Sequence, residues 1–246
     1  KFSGPVAEHH DGFSMWDTEW TPWNAVKKGP KRDIVGELEK AIRSRGMKFM
    51  TSFHHARNEL WMDNGKWVGH YAAVKKYFPS LLNDPERSIL YGYFPRPIFL
   101  ASWRGKLEEV INRYHPDMMW FDGDMGYIPD SVLTKYLAFY LNSSKKDGRE
   151  VVVTYKHSQL PSDVGIQDFE RGGADRLEKI PWLTDDAIAD NAWGYIEGMR
   201  LKTAQYIIHE LADVVSKNGN LLLNVSPRPD GSIPEDQQKI LRSVGA

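Results

Sequence analysis

The sequence predicts an α/β fold of the (β/α)8, or TIM-barrel, type, incomplete and with about six strands, on three observations. Amphipathic helical patterns alternate with short apolar runs, as they do where strands and helices pack in layers. Residues of catalytic type (His9-His10-Asp11, His54-His55, Asp122, Lys156-His157 and Glu170) each follow one of those runs. That is the strand end at which such a barrel builds its active site. The chain is 246 residues long, near the ~250 typical of the fold. No internal repeat or low-complexity tract divides it, so residues 1–246 read as a single domain.

Each element has its own warrant. Phe2 to Glu8 reads as the opening strand. Asp33 caps a helix whose Ile34, Val35, Leu38, Ala41 and Ile42 share one face, and Gly46 stops it. Lys48 to Phe53 is a short strand ending in His54-His55. The stretch from Asn58 to Ser102, with Pro79, Pro85, Pro95 and Pro97, reads as loop-rich, an insertion or a functional segment. Leu107, Val110, Ile111 and Tyr114 mark a helix leading into the strand Met118 to Phe121, and Asp122-Gly123 turns the chain. Val132, Leu133, Tyr136, Leu137 and Tyr140 form the next helix. Glu150–Tyr155 and Val164–Glu170 are strands, and Pro181 to Gly198 reads as a loop. A helix carries Ala204, Ile207, Ile208, Leu211, Val214 and Val215, and Asn220–Val225 is the last strand, closed by a Pro- and Gly-rich turn.

Composition excludes several functions. A formal net charge of -1 supplies no basic field for nucleic acid. No stretch approaches the ~20 apolar residues of a membrane span. With no cysteine, disulfides, a thiol nucleophile and thiolate-bound zinc are ruled out. Aromatic residues make up 12% of the chain, several of them among His, Asp and Gly. Such faces beside hydrogen-bonding groups suit a sugar, whose C–H surface stacks while its hydroxyls need directional partners. Aromatic loops packed over a large core are the other reading.

Among the strand-end residues, Asp122 shares a face with Met118 and Trp120, since side chains alternate along a strand. If that face looks inward, Asp122 projects into the mouth above Trp120; a helix cap or turn aspartate is the alternative. The histidine pairs suit either a metal or a polyhydroxylated ligand. Adjacent residues of a regular strand point to opposite faces, which favours hydrogen bonding by His9, His10 and His54 over a shared metal. Glu170 could move protons or pair with Arg171 or Arg176.

As a set these residues resemble the α-L-fucosidases of glycoside hydrolase family 29. The resemblance rests on His9-His10-Asp11-Gly12-Phe13, Thr21-Pro22-Trp23-Asn24-Ala25, Trp120-Phe121-Asp122-Gly123 and Trp193-Gly194-Tyr195. It continues through Leu221–Pro227 and Asp230–Pro234, and is weakest from Asn58 to Ser102. It implies removal of terminal α-L-fucose, or of a near relative such as α-L-galactose, with retention of configuration. The implied nucleophile is Asp122, the sugar hydroxyls fall to His9 and His10, and apolar surface comes from Trp120 and Trp193. No metal or organic cofactor is implied. The implied substrate is a fucosylated glycan, met in a secreted, periplasmic or lysosomal-type compartment. Barrel strands preceding the HHDGF segment are also implied, which accounts for the short count and makes residues 1–246 a single, partial catalytic barrel domain.

Two departures matter. Where many members carry a Pro-Trp-Glu acid/base, this chain reads Pro181-Trp182-Leu183. Leucine moves no proton, so the role passes to Glu170, with Asp185 and Asp186 behind it. Thr154-Tyr155-Lys156 stands where an Asn-Asp-Arg-like run is expected, so Lys156 keeps a cation for the sugar without arginine's planar fork. The competing functions are a fucose-binding homologue that no longer turns over and a histidine-based metal hydrolase.

Overall fold

A computed structural model of the chain describes residues 1–63, 66–123, 125–157, 159–161 and 163–246, without the side chains of 61–63, 67, 68 and 70. The chain divides into two compact units: residues 1–155 with 159–165, and residues 156–158 with 166–246.

The first unit is a parallel sheet backed by helices. The opening strand is interrupted, as β1 (Phe2–Ser3) and β2 (Val6–Glu8), and both parts pair with β3 (Lys48–Phe53). Between them, α1 (Ile34–Arg43) starts where expected: the Asp33 carboxylate accepts from Gly36 N at 3.0 Å. That cap satisfies one of the open donors of the first turn.

The segment read as loop-rich is largely ordered. It holds an antiparallel pair, β4 (Leu60–Asp63) with β5 (Lys66–Gly69), then α2 (His70–Tyr77), α3 (Pro85–Tyr91) and the start of α4 (Arg96–Tyr114). Pro85 and Pro97 sit in the first turns of α3 and α4. A proline there lacks only an N–H that would have no helical partner, so it opens a helix instead of breaking one. The unit is completed by β6 (Met118–Phe121), α5 (Asp130–Lys146) and β7 (Val152–Tyr155). β6 pairs in parallel with β3 on one side and β7 on the other.

The expected alternation along β6 holds. Met119 and Phe121 are buried in the core with Trp103 of α4 and Tyr136 of α5. Phe121 and Tyr136 meet edge-on at 5.5 Å between centroids, and Trp103 and Tyr136 at 5.7 Å. Each such side chain contributes on the order of 1.5–3 kcal/mol by leaving water. Trp120 faces the other way, 5.4 Å from the His54 ring. Core packing on one face thus fixes which residues of β6 are left for the site.

The second unit is a three-stranded parallel sheet: β8 (Ile166–Glu170), β9 (Trp182–Ala187) and β10 (Gly219–Asn224). Two helices follow the strand order, α6 (Ala204–Ser216) and α7 (Glu235–Gly245). Here β9 corrects the expected loop from Pro181 to Gly198. It is buried along its length although half its residues are polar. With the interrupted opening strand taken as one, the described residues hold four parallel strands in the first unit and three in the second. The total is seven, one more than the sequence suggests. Among the described residues no helix is long and apolar enough to cross a membrane.

Candidate active site

In the first unit the strand ends converge as their sequence suggests. β2 stops at Glu8, and a turn follows in which Gly12 N donates to His9 O at 3.2 Å and Phe13 N to the Asp11 carboxylate at 3.1 Å. Gly12 has φ of +78°, and a Cβ on it would lie 2.0 Å from the Leu90 carbonyl oxygen, so no other residue fits this turn. Because the strand has already ended, His9 and His10 do not diverge. Their rings lie 4.3 Å apart, and His9 stacks on His54 at 4.1 Å. Alternation governs a regular strand and does not reach these two residues.

Asp122 sits among these imidazoles. Its backbone N–H donates to Phe53 O at 3.1 Å, continuing the β3–β6 ladder one residue past the strand. Oδ2 lies 3.2 Å from His54 Nδ1 and 3.5 Å from His10 Nε2. The side chain remains 18% exposed, enough for a ligand to reach it. Burial, and then the neighbouring His54 and His10, bring His9 down to about 4, so at neutral pH it is an uncharged imidazole. A neutral ring can both donate and accept, as sugar hydroxyls require. The ring nitrogens of His9, His10 and His54 are also close enough for a metal ion: one ligand atom from each lies within 4.8 Å of the others.

A buried layer below this cluster holds it in place. Glu8, fully enclosed, receives the Lys106 ammonium at 2.7 and 2.8 Å on its two oxygens and the Ser14 hydroxyl at 2.5 Å. Burial alone would raise the Glu8 carboxyl, but Lys106, His55 and Ser14 outweigh it and hold it below the ordinary carboxylate range. His55 points away from His54 and stacks on Trp103 at 5.6 Å, with Nε2 3.2 Å from the Trp103 carbonyl. Asn58, with its amide oriented to satisfy both neighbours, donates to His10 O and accepts from Gly12 N at 3.3 Å. Sequence reasoning passed over this layer. Its signal is Lys106, which falls on the buried stripe of α4 with Phe99, Trp103 and Val110. A lysine at a core position calls for a buried partner.

His55 gives a pH prediction. Burial lowers it to about 4, against 6.5 for a free imidazole. As pH falls from about 6.5 to about 4, the unfolded chain gains a proton that the folded chain refuses, so this stability is lost on acidification. Glu210, pushed up to about 7 by burial and by Asp186, works in the opposite direction over the same range. The useful reading is therefore the difference between the native chain and His55→Gln. In urea unfolding at pH 7 and pH 5, that difference should shrink by about 2 kcal/mol. A difference independent of pH would contradict a neutral, buried His55.

In the second unit Lys156 and Glu170 are brought together. The Lys156 ammonium, almost wholly buried, lies 3.0 Å from Glu170 Oε2, 3.2 Å from Asp185 Oδ1 and 3.8 Å from Asp168 Oδ2. Asp168 and Asp185 are buried, and the Glu170 side chain is half-exposed. Lys156 is thus committed to three carboxylates, and Glu170 is the one that reaches solvent. Leu183 is buried in β9.

Strand alternation separates the two fallback acids. Asp185 joins Lys156, while Asp186 faces Lys202, with Arg171 Nε at 3.5 Å. Burial works against the Asp186 carboxylate, but bonds from Lys202 and Glu210 bring it below its ordinary value. Trp193 is partly exposed, with the Arg171 guanidinium 4.5 Å from its ring centre. Its carbonyl accepts from Asn224 and Ser226 at 2.6 and 2.8 Å, which ties the Trp193 loop to the end of β10.

Comparison with known proteins bears on this arrangement. The family model "Alpha-L-fucosidase" matches residues 1–246. Human plasma alpha-L-fucosidase is 31% identical over 251 residues, which cover 98% of this chain and 49% of the relative. Bovine tissue alpha-L-fucosidase is 32% identical over 252 residues, 98% of this chain and 48% of the relative. The crystal structure of Thermotoga maritima alpha-fucosidase in complex with fucose superposes with a TM-score of 0.72 at 28% identity, over 100% of this chain and 51% of that one. The chain thus spans about half the length of the relatives it matches.

Proposed function

This chain belongs to the α-L-fucosidase family, and on that premise we propose that it hydrolyses terminal α-L-fucose from a glycan or glycoconjugate with retention at the anomeric carbon. The observation that carries the reading is Asp122, partly open to a ligand and flanked by His54 and His10 at the end of β6. In the first step the Asp122 carboxylate attacks the anomeric carbon as the bond to the leaving oxygen breaks. A covalent glycosyl-enzyme forms, and Glu170 gives its proton to the departing oxygen. In the second step Glu170 takes a proton from water, whose oxygen displaces Asp122. His9, His10 and His54 hold the sugar hydroxyls. Trp120 and Trp193 supply apolar surface for the C–H face and the methyl group.

Glu170 is tested by chemical rescue. Glu170→Ala should lower turnover of a natural fucoside by roughly 10²–10⁴-fold, the usual worth of a positioned acid/base. On an activated aryl fucoside, azide should restore the rate and yield the fucosyl azide. Rescue in Asp185→Ala, and none in Glu170→Ala, would transfer the role to Asp185.

A second reading, a fucose-binding homologue without turnover, is favoured by one feature: Leu183 stands buried where a proton donor is expected. It would appear in calorimetry as L-fucose binding by a chain that turns over no aryl or natural α-L-fucoside.

A further inference from the structure

The histidines at the ends of β2 and β3 bring three imidazoles together in one place. Among the described residues, His9, His10 and His54 each offer a ligand atom within 4.8 Å of the others. Asp122 Oδ2 lies beside two of them, 3.2 Å from His54 Nδ1 and 3.5 Å from His10 Nε2. In a tetrahedral zinc site with ligands ~2.0–2.1 Å from the ion, donor atoms lie roughly 3.3 Å apart. The two edges that meet at Asp122 already have that spacing; the others need His9 to turn out of its 4.1 Å stack on His54, so that both rings aim at one ion.

A second observation points the same way. His10 Nε2 is buried with no hydrogen-bond partner, although Asp122 is nearby. A buried polar atom left in that state carries a desolvation penalty that a ligand aimed at it would relieve. The cluster is also held in advance by its backbone: His54 N donates to Glu8 O at 3.0 Å, and Gly12 fixes the turn that carries His9 and His10. A donor set of imidazoles with one carboxylate selects zinc, copper or nickel over magnesium or calcium.

We propose that His9, His10, His54 and Asp122 together capture a zinc-class divalent cation in competition with the sugar, making such an ion a reversible inhibitor of this site. The ion would occupy the position of the sugar hydroxyls and take the Asp122 lone pair that bond formation needs. It is thus a competitor of the proposed hydrolysis and no part of it.

The test reads ion uptake directly. Intact chain, stripped with a chelator and dialysed, is titrated with zinc chloride by calorimetry, and with cobalt(II) by visible absorption. The expected result is one ion per chain, with the intense absorption of four-coordinate cobalt. His54→Ala and His9→Ala, checked for native circular dichroism, should each weaken uptake by at least about tenfold, while His115→Ala leaves it unchanged. L-Fucose should raise the apparent Kd for zinc, and excess chelator should reverse binding. No uptake at millimolar zinc would overturn the proposal, as would equal uptake in the cluster variants, or indifference to L-fucose in a metal-free chain that calorimetry shows to bind the sugar. Uptake needs no turnover, so failure of the hydrolysis reading leaves this result separately readable.

Discussion

Replacing Asp122 by glycine should lower kcat on an aryl α-L-fucoside by roughly 10⁴-fold or more, the order seen when a covalent nucleophile is removed from a site that otherwise still binds. Folding should survive. The Asp122 bond to Phe53 O uses the backbone N–H, which glycine keeps, and its carboxylate is not enclosed in the core. Unfolding by urea, run beside the kinetics, separates lost chemistry from lost structure. A folded Asp122→Gly variant with near-native turnover would remove Asp122 from the mechanism.

The second large effect is on stability. Lys106→Met leaves the Glu8 carboxylate fully buried without its cation, and breaking a buried pair from one side costs about 3–5 kcal/mol. The Ser14 hydroxyl is still available but carries no charge to offset the carboxylate. Adding Glu8→Gln to Lys106→Met should recover most of the loss, because a neutral amide can still accept from Ser14 and no longer needs a cation. Denaturation midpoints of the single and double variants give the comparison. A Lys106→Met variant within about 1 kcal/mol of the native chain would show that Glu8 is neutral or hydrated. The effect should reach the site as well, since Glu8 directly precedes His9 and His55 directly follows His54.

Much of this was legible in the sequence where one physical rule dominates. The Asp33 cap and the alternation that separates Trp120 and Asp122 from Met119 and Phe121 follow from local geometry. The strand-end placement of His9, His10, His54, Asp122, Lys156 and Glu170 could be read for the same reason. What was missed depends on partners far away in sequence. β9 has no long apolar run, because it buries Asp185 and Asp186, which are matched by Lys156 and by Lys202 with Arg171. Lys106 lies on the core stripe of α4 only because Glu8 waits there, nearly a hundred residues earlier. The prolines of the Asn58–Ser102 stretch signal loops when counted and helix starts when placed. Alternation puts neighbours such as His9 and His10 on opposite faces only within a strand, and β2 ends at Glu8.

A covalent intermediate on Asp122 can be trapped. A fucosyl fluoride with fluorine in place of the hydroxyl next to the anomeric carbon tests it most directly. The fluorine slows both steps by opposing positive charge in the transition state, while the fluoride leaving group keeps the first step fast enough to load the enzyme. Peptide mass spectrometry of the inactivated chain should find one fluorofucosyl group on the peptide containing Asp122, and none in Asp122→Gly. A label on Glu170 or Asp185, or steady turnover of the natural substrate with no label on any residue, would contradict the assignment.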